Sequence, residues 1–422
     1  MTIASHTLGC KLNFAETSHI LRQFSDAGYQ VCDFDKAADI YVINTCTVTS
    51  IAEKKCRTAI HHAHRMNPDA FIAVIGCFAQ IEGDKISKMP GVSLVLGNDR
   101  KNDLFAIVSQ QPLPATRPFP IAYSSGDRTR SFLKIQDGCD YFCTYCAIPF
   151  ARGRSRSATI SQVVEASQTL ARQGIKEIVL TGVNTGTFGN KNGETFLQLL
   201  QALDQVEGIE RYRISSIEPN LLTDEIVHFV AGSRAFLPHF HIPLQAGSDK
   251  VLRLMHRHYD TDLYADKIHR IKSQLPDACI AADIIAGFNG EDESTFDETC
   301  RFVESLPLSY LHVFTYSDRP NTKALTLSEK IPVGIRRQHS QRLHELSDKK
   351  KNAFYNSQKG TRHTVLWESS PHTEQTSDQS YMQGWTDNYI RLQRPFDPTL
   401  VNTITWETVD DSTIVHNFKI ED

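Results

Sequence analysis

Three cysteines stand close together in the middle of the chain, in the sequence GCDYFCTYC at residues 138–146. Cys139, Cys143 and Cys146 follow a Cys-x3-Cys-x2-Cys spacing, which places three thiolates on one loop. Such a loop can cap one face of a cubane iron–sulfur cluster and leave the fourth iron open to a small molecule. A structural zinc loop is the alternative, but zinc ribbons normally pair two Cys-x2-Cys knuckles and this sequence contains one. The spacing therefore predicts a cluster with an open iron position.

A second set of cysteines is spread over the first part of the chain. Cys10, Cys46 and Cys77 each end an apolar run, in TLGC, VINTC and VIGC, and a helix-like stretch follows each of them. The carboxyl ends of neighbouring strands in a parallel sheet share one edge, where ligands bind. We therefore expect these three thiols to converge on a second site. The alternative is three ordinary buried cysteines, because free cysteine is common in protein cores.

Composition excludes several classes of protein. The chain has 422 residues, 40% of them apolar, which is enough for two or three packed cores, and this excludes a disordered or fibrous protein. It has no long uncharged apolar run and no signal peptide, so we expect a cytoplasmic protein without a membrane segment. Ten cysteines in that reducing compartment favour metal ligation or catalysis over disulfides. The formal charge of −4 means that any contact with RNA must be local.

The texture of the sequence divides the chain into three regions. Residues 1–112 alternate apolar runs with amphipathic stretches, which predicts a parallel α/β sheet and ends near the proline-rich QQPLPATRPFP. Residues 126–357 contain six strand candidates separated by helix-period stretches, which predicts an open (β/α)6 barrel because six strands are too few to close an eight-stranded one. The six candidates are 132–135, 177–181, 212–216, 239–244, 280–286 and 311–316.

After residue 335 the alternation of strand and helix patterns ends, and a basic helix-like stretch is followed by short β-prone stretches. Residues 336–357 form a basic helix that could meet phosphates or pack on the barrel. Residues 358–422 contain short β-prone stretches with turn signals, which predicts a small all-β module. From residue 359 onward there are five basic and ten acidic residues, although Arg391 and Arg394, with Tyr389 or Trp385 for base stacking, could form a local RNA-binding patch.

These motifs resemble a known family. The cysteine loop with Tyr145 before its last cysteine resembles the radical S-adenosylmethionine (SAM) superfamily, whose barrel is a partial (β/α)6 barrel. Together the two cysteine triplets resemble the methylthiotransferase family over essentially the whole chain, and the closing module resembles a TRAM domain. The segments that carry this resemblance are TLGCKLNFAET, INTCTVT, IGCFAQ, DGCDYFCTYCAIPFARGRSRS, LTGVNTG, HIPLQAGSDKVL, MHRHY, DIIAGFNGE and HVFTYSDRPNT.

The resemblance implies radical chemistry with two [4Fe-4S] clusters. S-adenosyl-L-methionine would bind the open iron of the cluster on Cys139, Cys143 and Cys146 and be cleaved to a 5′-deoxyadenosyl radical. The cluster on the other triplet would carry the sulfur that is methylated and transferred. An external electron donor and a sulfur source are implied as partners. By the same resemblance, the residues that contact S-adenosyl-L-methionine are Tyr145, Gly182, Asn184, Ser216, Glu218, Gln245 and Gly247.

The substrate follows from a narrower resemblance. GCKLN and FARGRSRS are most similar to the branch that acts on N6-threonylcarbamoyladenosine at position 37, beside the anticodon of tRNA, whereas the isopentenyladenosine branch more often has GCQMN. Lys11, where the isopentenyladenosine branch more often has glutamine, is the clue that favours the threonylcarbamoyl branch. The anticodon stem-loop would then be the partner. The alternatives are isopentenyladenosine, an aspartate of a ribosomal protein, and a non-catalytic iron–sulfur sensor that binds RNA.

Three arginines follow the cysteine loop. Arg152, Arg154 and Arg156 alternate with small residues, so an extended segment would place all three on one side, toward the pocket mouth. Their guanidinium groups suit the carboxylate of a threonylcarbamoyl group or the phosphates of an RNA loop. The alternative is a solvated or ion-paired set. We therefore predict these arginines as substrate-binding residues.

Overall fold

The computed structural model describes residues 1–47, 49–113, 115–116, 118–126, 129–368, 372–373 and 380–415. Its first unit is a five-stranded parallel sheet in the order β2-β1-β3-β4-β5. The elements are β1 (Thr2–Thr7), α1 (Lys11–Asp26), β2 (Gln30–Cys32), β3 (Ile40–Thr45), α2 (Ser50–Met66), β4 (Phe71–Gly76), α3 (Cys77–Ile86), β5 (Val92–Leu96) and α4 (Leu104–Val108).

The central strands of this sheet are buried on both faces. Along β3, Ile40 and Val42 pack on one face with α1, whereas Tyr41 and Ile43 pack on the other face with α2. Alternate residues of a strand point to opposite faces, so an uninterrupted apolar run requires helices on both sides. The predicted parallel α/β architecture is confirmed.

The second unit contains six parallel strands with helices between them. Its elements are β6 (Ala122–Tyr123), β7 (Arg130–Lys134), β8 (Gln136–Asp137), α5 (Ile148–Arg152), β9 (Arg156–Ser157), α6 (Ile160–Arg172), β10 (Glu177–Thr181), α7 (Phe196–Asp204), β11 (Arg211–Ile214), α8 (Asp224–Gly232), β12 (His239–His241), α9 (Asp249–Leu254), α10 (Thr261–Gln274), β13 (Cys279–Ala286), α11 (Glu293–Ser305), β14 (Tyr310–Thr315) and α12 (Val333–Ser357). Strands β7, β10 and β11 form one parallel set and β12, β13 and β14 another. The bridge between Ser216 and His241 joins the two sets. The open six-stranded barrel is therefore confirmed.

The third unit is an antiparallel sheet, as expected for a small β module. Its strands are β15 (Arg362–Trp367), β16 (His372–Thr373), β17 (Ser380–Thr386), β18 (Arg391–Pro395) and β19 (Ile404–Thr408). This module lies against the amino ends of the barrel strands. The Arg211 guanidinium donates to the carbonyl of Trp385 at 3.0 Å, and Arg213 donates to the carbonyl of Thr386 at 2.7 Å.

The basic helix α12 packs on the barrel. Arg336 is buried and donates to the Asn289 side chain, and Arg342 pairs with Asp297 at 2.7 Å. Lys350 donates to the carbonyl of Leu306. These three cations are therefore engaged by the barrel, whereas phosphate binding by the other basic residues of the helix, such as the exposed Arg337 and Lys349, stays a prediction. Among the described helices, none has the length and apolar composition needed to cross a bilayer.

Candidate functional site

The three N-terminal cysteines lie at one edge of the first sheet. Cys10, Cys46 and Cys77 follow the carboxyl ends of β1, β3 and β4, which are neighbours in the order β1-β3-β4. Gly9 has φ +102°, and a Cβ on it would lie 2.8 Å from the Cβ of Cys46. Only glycine therefore lets the chain before Cys10 pass so close to Cys46. The three strand ends therefore lie side by side at one edge of the sheet, and the grouping of their thiols around one metal site stays a prediction.

Cys77 lies beside a buried network of charges. The Asn98 amide donates to the Cys77 Sγ at 3.4 Å, and Lys101 donates to the Asn98 Oδ1 at 2.6 Å. Lys101 also contacts Glu16 of α1, which accepts from Lys134 of β7 at 2.6 Å. Because Glu16 belongs to the first unit and Lys134 to the barrel, this network fixes the two units against each other.

Burial and neighbouring cations oppose each other at Glu16. Burial alone would raise the pKa of this carboxyl, but Arg152, Lys101 and Lys134 hold it well below its ordinary value. Burial lowers the pKa of Lys101 to about 8 against the attraction of Glu16. The sequence contains no signal for this network, since a Glu on one helix and a Lys on a distant strand are ordinary residues until the fold brings them together.

The three predicted substrate arginines do not share one face. Arg152 ends helix α5 and is buried, with its guanidinium 2.9 Å from Asp137, and Arg156 begins β9 and contacts the same carboxylate at 2.9 Å. Arg154 has 69% of its side chain exposed and lies 3.5 Å from Asp140. The expected extended segment is wrong because a helix ends at Arg152 and Gly153, with φ +77°, turns the chain. Substrate binding by these arginines stays a prediction.

The second cysteine triplet lines a cavity of about 280 Å³ at the carboxyl ends of the barrel strands, which we call the upper cavity. None of the ten cysteines forms a disulfide bond. Backbone N–H groups of Tyr141 and Ile148 donate to the sulfurs of Cys139 and Cys146 at 3.5 and 3.4 Å. Burial raises the pKa of Cys139 to about 11 and that of Cys146 to about 12.

Most of the predicted contacts to S-adenosyl-L-methionine line the same cavity. These residues are Tyr145, Asn184, Ser216, Glu218 and Gln245. Asn184 is buried at the cavity wall, and its side-chain amide lies beside the hydroxyl of Tyr141. Gly182 and Gly247 are not among the lining residues, and a Cβ on them would meet Gln136 or Thr299, respectively, within 3 Å. Three thiols on one loop, the buried Asn184 amide and the Glu218 carboxylate fit a cluster and a polar organic cofactor.

Two arginines at this cavity were not predicted. Arg257, in the MHRHY segment, donates to the Cys143 Sγ at 3.1 Å and forms an ion pair with Glu218. Arg319, in the SDRPNT segment, lines the cavity and donates to Glu53 of α2 at 2.5 Å. Both segments belong to the motifs that carry the family resemblance, and this was the one sequence signal that could have identified the two arginines. The positions of Arg257 and Arg319 in the sequence do not by themselves indicate which residues they contact.

The upper cavity also reaches the first unit. Thr47 and Thr49, which closely follow Cys46, line it together with Cys139, Cys143 and Cys146. Arg319 donates to the carbonyl of Thr47 at 3.3 Å. One cavity is thus bounded by the barrel triplet and by the loop that leaves Cys46.

A second cavity of about 340 Å³, the lower cavity, lies where the three units meet. Its walls include Cys10, Lys11 and Phe14 from the first unit, Arg130, Arg213, His239 and His241 from the barrel, and Glu368, Trp385, Tyr389 and Arg391 from the β module. His241 contacts Asp283 of the upper cavity at 2.6 Å, so the two cavities share a wall. Trp385 and Tyr389 are buried, with ring centroids 4.2 Å apart, and the expected surface platform for stacking RNA bases at these residues is wrong.

Comparisons with known proteins agree with this architecture. Residues 2–97 match the uncharacterized protein family UPF0004, and residues 133–303 match the radical SAM superfamily. The radical SAM methyltransferase TsrM from Kitasatospora setae, solved with cobalamin and a [4Fe-4S] cluster, has the same fold at a TM-score of 0.56 and 14% identity, over 76% of each chain. The fold and the cysteine loop thus define a radical SAM protein.

Comparison with individual relatives identifies the family within the radical SAM superfamily to which the chain belongs. The chain is 39% identical to threonylcarbamoyladenosine tRNA methylthiotransferase MtaB of Bacillus subtilis (strain 168), over 93% of this chain and 90% of the relative. It is 38% identical to the MtaB of Aquifex aeolicus (strain VF5) over 85% and 91%. It is also 31% identical to tRNA-2-methylthio-N(6)-dimethylallyladenosine synthase of Syntrophotalea carbinolica (strain DSM 2380 / NBRC 103641 / GraBd1) over 86% and 87%. The chain belongs to the family of tRNA methylthiotransferases.

Proposed function

We propose that this protein adds a methylthio group to C2 of N6-threonylcarbamoyladenosine at position 37 of tRNA. The observation that carries the proposal is the shared upper cavity, which the barrel cysteines line together with the loop that follows Cys46. A transfer from one site to a carbon activated at another requires both sites to reach the same substrate atom. The names of the MtaB relatives support threonylcarbamoyladenosine as the substrate.

The barrel triplet is the proposed site of the radical SAM cluster. Cys139, Cys143 and Cys146 would hold a [4Fe-4S] cluster, and Asn184 and Glu218 would contact S-adenosyl-L-methionine. When bound, the pair supplies an organic radical that can remove hydrogen from an unactivated carbon. The residues of the cavity orient the substrate carbon and exclude water, since Tyr145 and Tyr316 close its walls.

A second cluster is proposed on Cys10, Cys46 and Cys77. Three thiols at adjacent strand ends offer the same number of ligands as the barrel loop, and Asn98 donates to the Cys77 sulfur. The chain holds this edge in place through Arg319, which bridges the barrel to Glu53 and Thr47. An external electron donor and a sulfur source complete the requirements of the reaction.

The test is a reconstituted reaction followed by nucleoside mass spectrometry. The holoenzyme is incubated anaerobically with S-adenosyl-L-methionine, sulfide and a reductant, together with anticodon stem-loops that carry either threonylcarbamoyladenosine or isopentenyladenosine. We expect the 2-methylthio product and 5′-deoxyadenosine with the threonylcarbamoyl substrate. A methylthio product with the isopentenyl substrate alone would contradict the assigned substrate. Absence of product with both stem-loops, when both clusters are intact, would contradict tRNA methylthiolation.

A further inference from the structure

More cationic than anionic side chains line the lower cavity. Four cationic side chains line it, whereas Glu368 is the one carboxylate among the lining residues. The cations are Lys11, Arg130, Arg213 and Arg391. A partly enclosed cavity with such an excess of one charge favours a ligand of the opposite charge.

The arginines of this cavity already have protein partners. Arg213 pairs with Glu177 at 2.8 Å and donates to two carbonyls of the β module. Arg391 pairs with Glu368, and Arg130 lies 3.7 Å from both Glu177 and Glu368. Within the described part of the chain, Lys11 is the one lining cation whose side chain forms neither an ion pair nor a hydrogen bond, although its charge helps to lower the pKa of the nearby Asp283. Its ammonium group is therefore available to a ligand.

A second unpartnered group faces the same space. His239 is only 8% exposed, yet neither ring nitrogen has a hydrogen-bond partner. Its ring packs on that of Tyr389 with a centroid distance of 4.3 Å. Burial, followed by the charges of Arg213, His241 and Lys11, lowers the pKa of His239 well below its ordinary value, so the neutral ring offers one donor and one acceptor. Buried polar groups are normally paired, and this pair of nitrogens points to a polar ligand.

We propose that the lower cavity binds the N6-threonylcarbamoyl group of the substrate, with its carboxylate on Lys11 and its ureido or hydroxyl group on His239. This inference rests on the proposed function and identifies the residues that determine its specificity. C2 and N6 of adenine lie on the same edge of the ring, on either side of N1. Cys10 of the sulfur-donating triplet and Lys11 are consecutive and line one cavity. A base that presents C2 to the triplet can thus extend its N6 substituent toward Lys11.

The same geometry disfavours an uncharged substituent. An isopentenyl group would fill the cavity without pairing Lys11 or His239. A site whose buried polar groups pair with a substrate strongly rejects an analogue that leaves those groups unpaired. An apolar pocket discriminates much less against a substrate that carries one additional group. The cavity therefore explains a preference for threonylcarbamoyladenosine through the carboxylate and the hydrogen-bonding groups together.

The experiment compares two stem-loops that differ at the carboxylate alone. One carries threonylcarbamoyladenosine and the other its methyl ester, and kcat/KM is measured by mass spectrometry for the wild-type holoenzyme. We expect the free acid to be favoured by at least about tenfold, the effect of one hydrogen bond to a charged group. In Lys11→Gln this preference should disappear through a rise in KM for the free acid, and Lys11→Arg should retain it. The matched control Lys36→Gln, an exposed lysine paired with Asp33, should keep the wild-type preference.

A further variant tests the histidine. His239→Phe keeps an aromatic ring beside Tyr389 but removes both nitrogens, and it should lower kcat/KM for the free acid and its ester alike. Iron and sulfide per chain are measured for each variant, so that loss of a cluster next to Lys11 is recognised. The wild-type comparison of acid and ester needs no variant. Equal kcat/KM for the two substrates in the wild type, or an unchanged preference in Lys11→Gln with clusters intact, would overturn the inference while methylthiolation itself stands. No product from either substrate would instead overturn the proposed function.

Discussion

Arg319 and Glu53 form an ion pair with an N–O distance of 2.5 Å between the segment after the last barrel strand and the helix that follows Cys46. The two residues are 266 positions apart in the sequence. The same guanidinium donates to the carbonyl of Thr47, the residue next to Cys46. One side chain therefore holds the loop of a predicted cluster ligand at the rim of the cavity that contains the other cysteine triplet.

Replacing Arg319 should uncouple the cleavage of S-adenosyl-L-methionine from the transfer of the methylthio group. We expect Arg319→Met to lower the rate of methylthiolated product by about tenfold to a hundredfold, because misplaced reacting groups lose the benefit of proximity. Cleavage of S-adenosyl-L-methionine should continue, so 5′-deoxyadenosine per product rises. The matched control is Arg172→Met, an exposed arginine on α6. A fall of both products in parallel would show that Arg319 is merely structural.

The buried Glu16 should be important for stability. It accepts from Lys134 at 2.6 Å and from Arg152 at 3.3 Å, and all three side chains are excluded from solvent. Removing one charge from a buried ion-pair network leaves the others uncompensated, at a cost of about 3–5 kcal/mol. Glu16→Gln should therefore lower the free energy of unfolding by that amount in urea titrations. Glu165→Gln, at an exposed position on α6, should change it by less than about 0.5 kcal/mol.

Low pH should lower the stability of the fold, because buried carboxylates in ion pairs, such as Glu16 and Glu177, become protonated. Burial would raise the pKa of Glu16 and of Glu177, but adjacent cations hold both below the ordinary value of 4.5. A carboxyl whose pKa is lowered by folding contributes stability above its unfolded pKa, and this contribution is lost as the pH falls toward the folded value. The melting temperature should be nearly constant from pH 7 to about 5 and fall below about pH 4.5, with a smaller fall in Glu16→Gln. Parallel curves for the two proteins would contradict the role of Glu16.

Arg257 should raise the reduction potential of the cluster proposed on Cys139, Cys143 and Cys146. Its guanidinium donates to the Cys143 sulfur at 3.1 Å, and hydrogen bonds to cluster sulfurs set the reduction potential. Removing a donor destabilises the reduced, more negative cluster, so Arg257→Met should lower the potential by about 60 mV, equivalent to a tenfold change in a one-electron equilibrium. An EPR-monitored redox titration measures this shift. An unchanged potential in a variant with full iron content would show that the hydrogen bond has no electronic role.

The fold and the placement of both cysteine triplets could be predicted because their signals are local. An apolar run that ends in Gly-Cys or Thr-Cys identifies the end of a strand. The carboxyl ends of neighbouring parallel strands lie at one edge of the sheet, and this holds without knowledge of contacts to the rest of the chain. Likewise, the spacing of Cys139, Cys143 and Cys146 places them on one loop without knowledge of the barrel.

The remaining parts of the site depend on contacts between distant residues. Glu16 and Arg152 are 136 positions apart, and nothing near either residue indicates a partner. The arginines after the cysteine loop were expected on one extended segment, but a five-residue helix intervenes and buries Arg152. Trp385 and Tyr389 suggested an RNA-binding surface because β alternation does not reveal which face packs on another unit.

The most direct test of a two-site enzyme is the iron and acid-labile sulfide content of three reconstituted proteins. The wild type should hold about eight iron atoms per chain, as two cubane clusters require. A variant with Cys10→Ala, Cys46→Ala and Cys77→Ala should hold about four, as should one with Cys139→Ala, Cys143→Ala and Cys146→Ala. If the N-terminal triple variant binds as much iron as the wild type, the first sheet holds no cluster and the proposed sulfur transfer is contradicted.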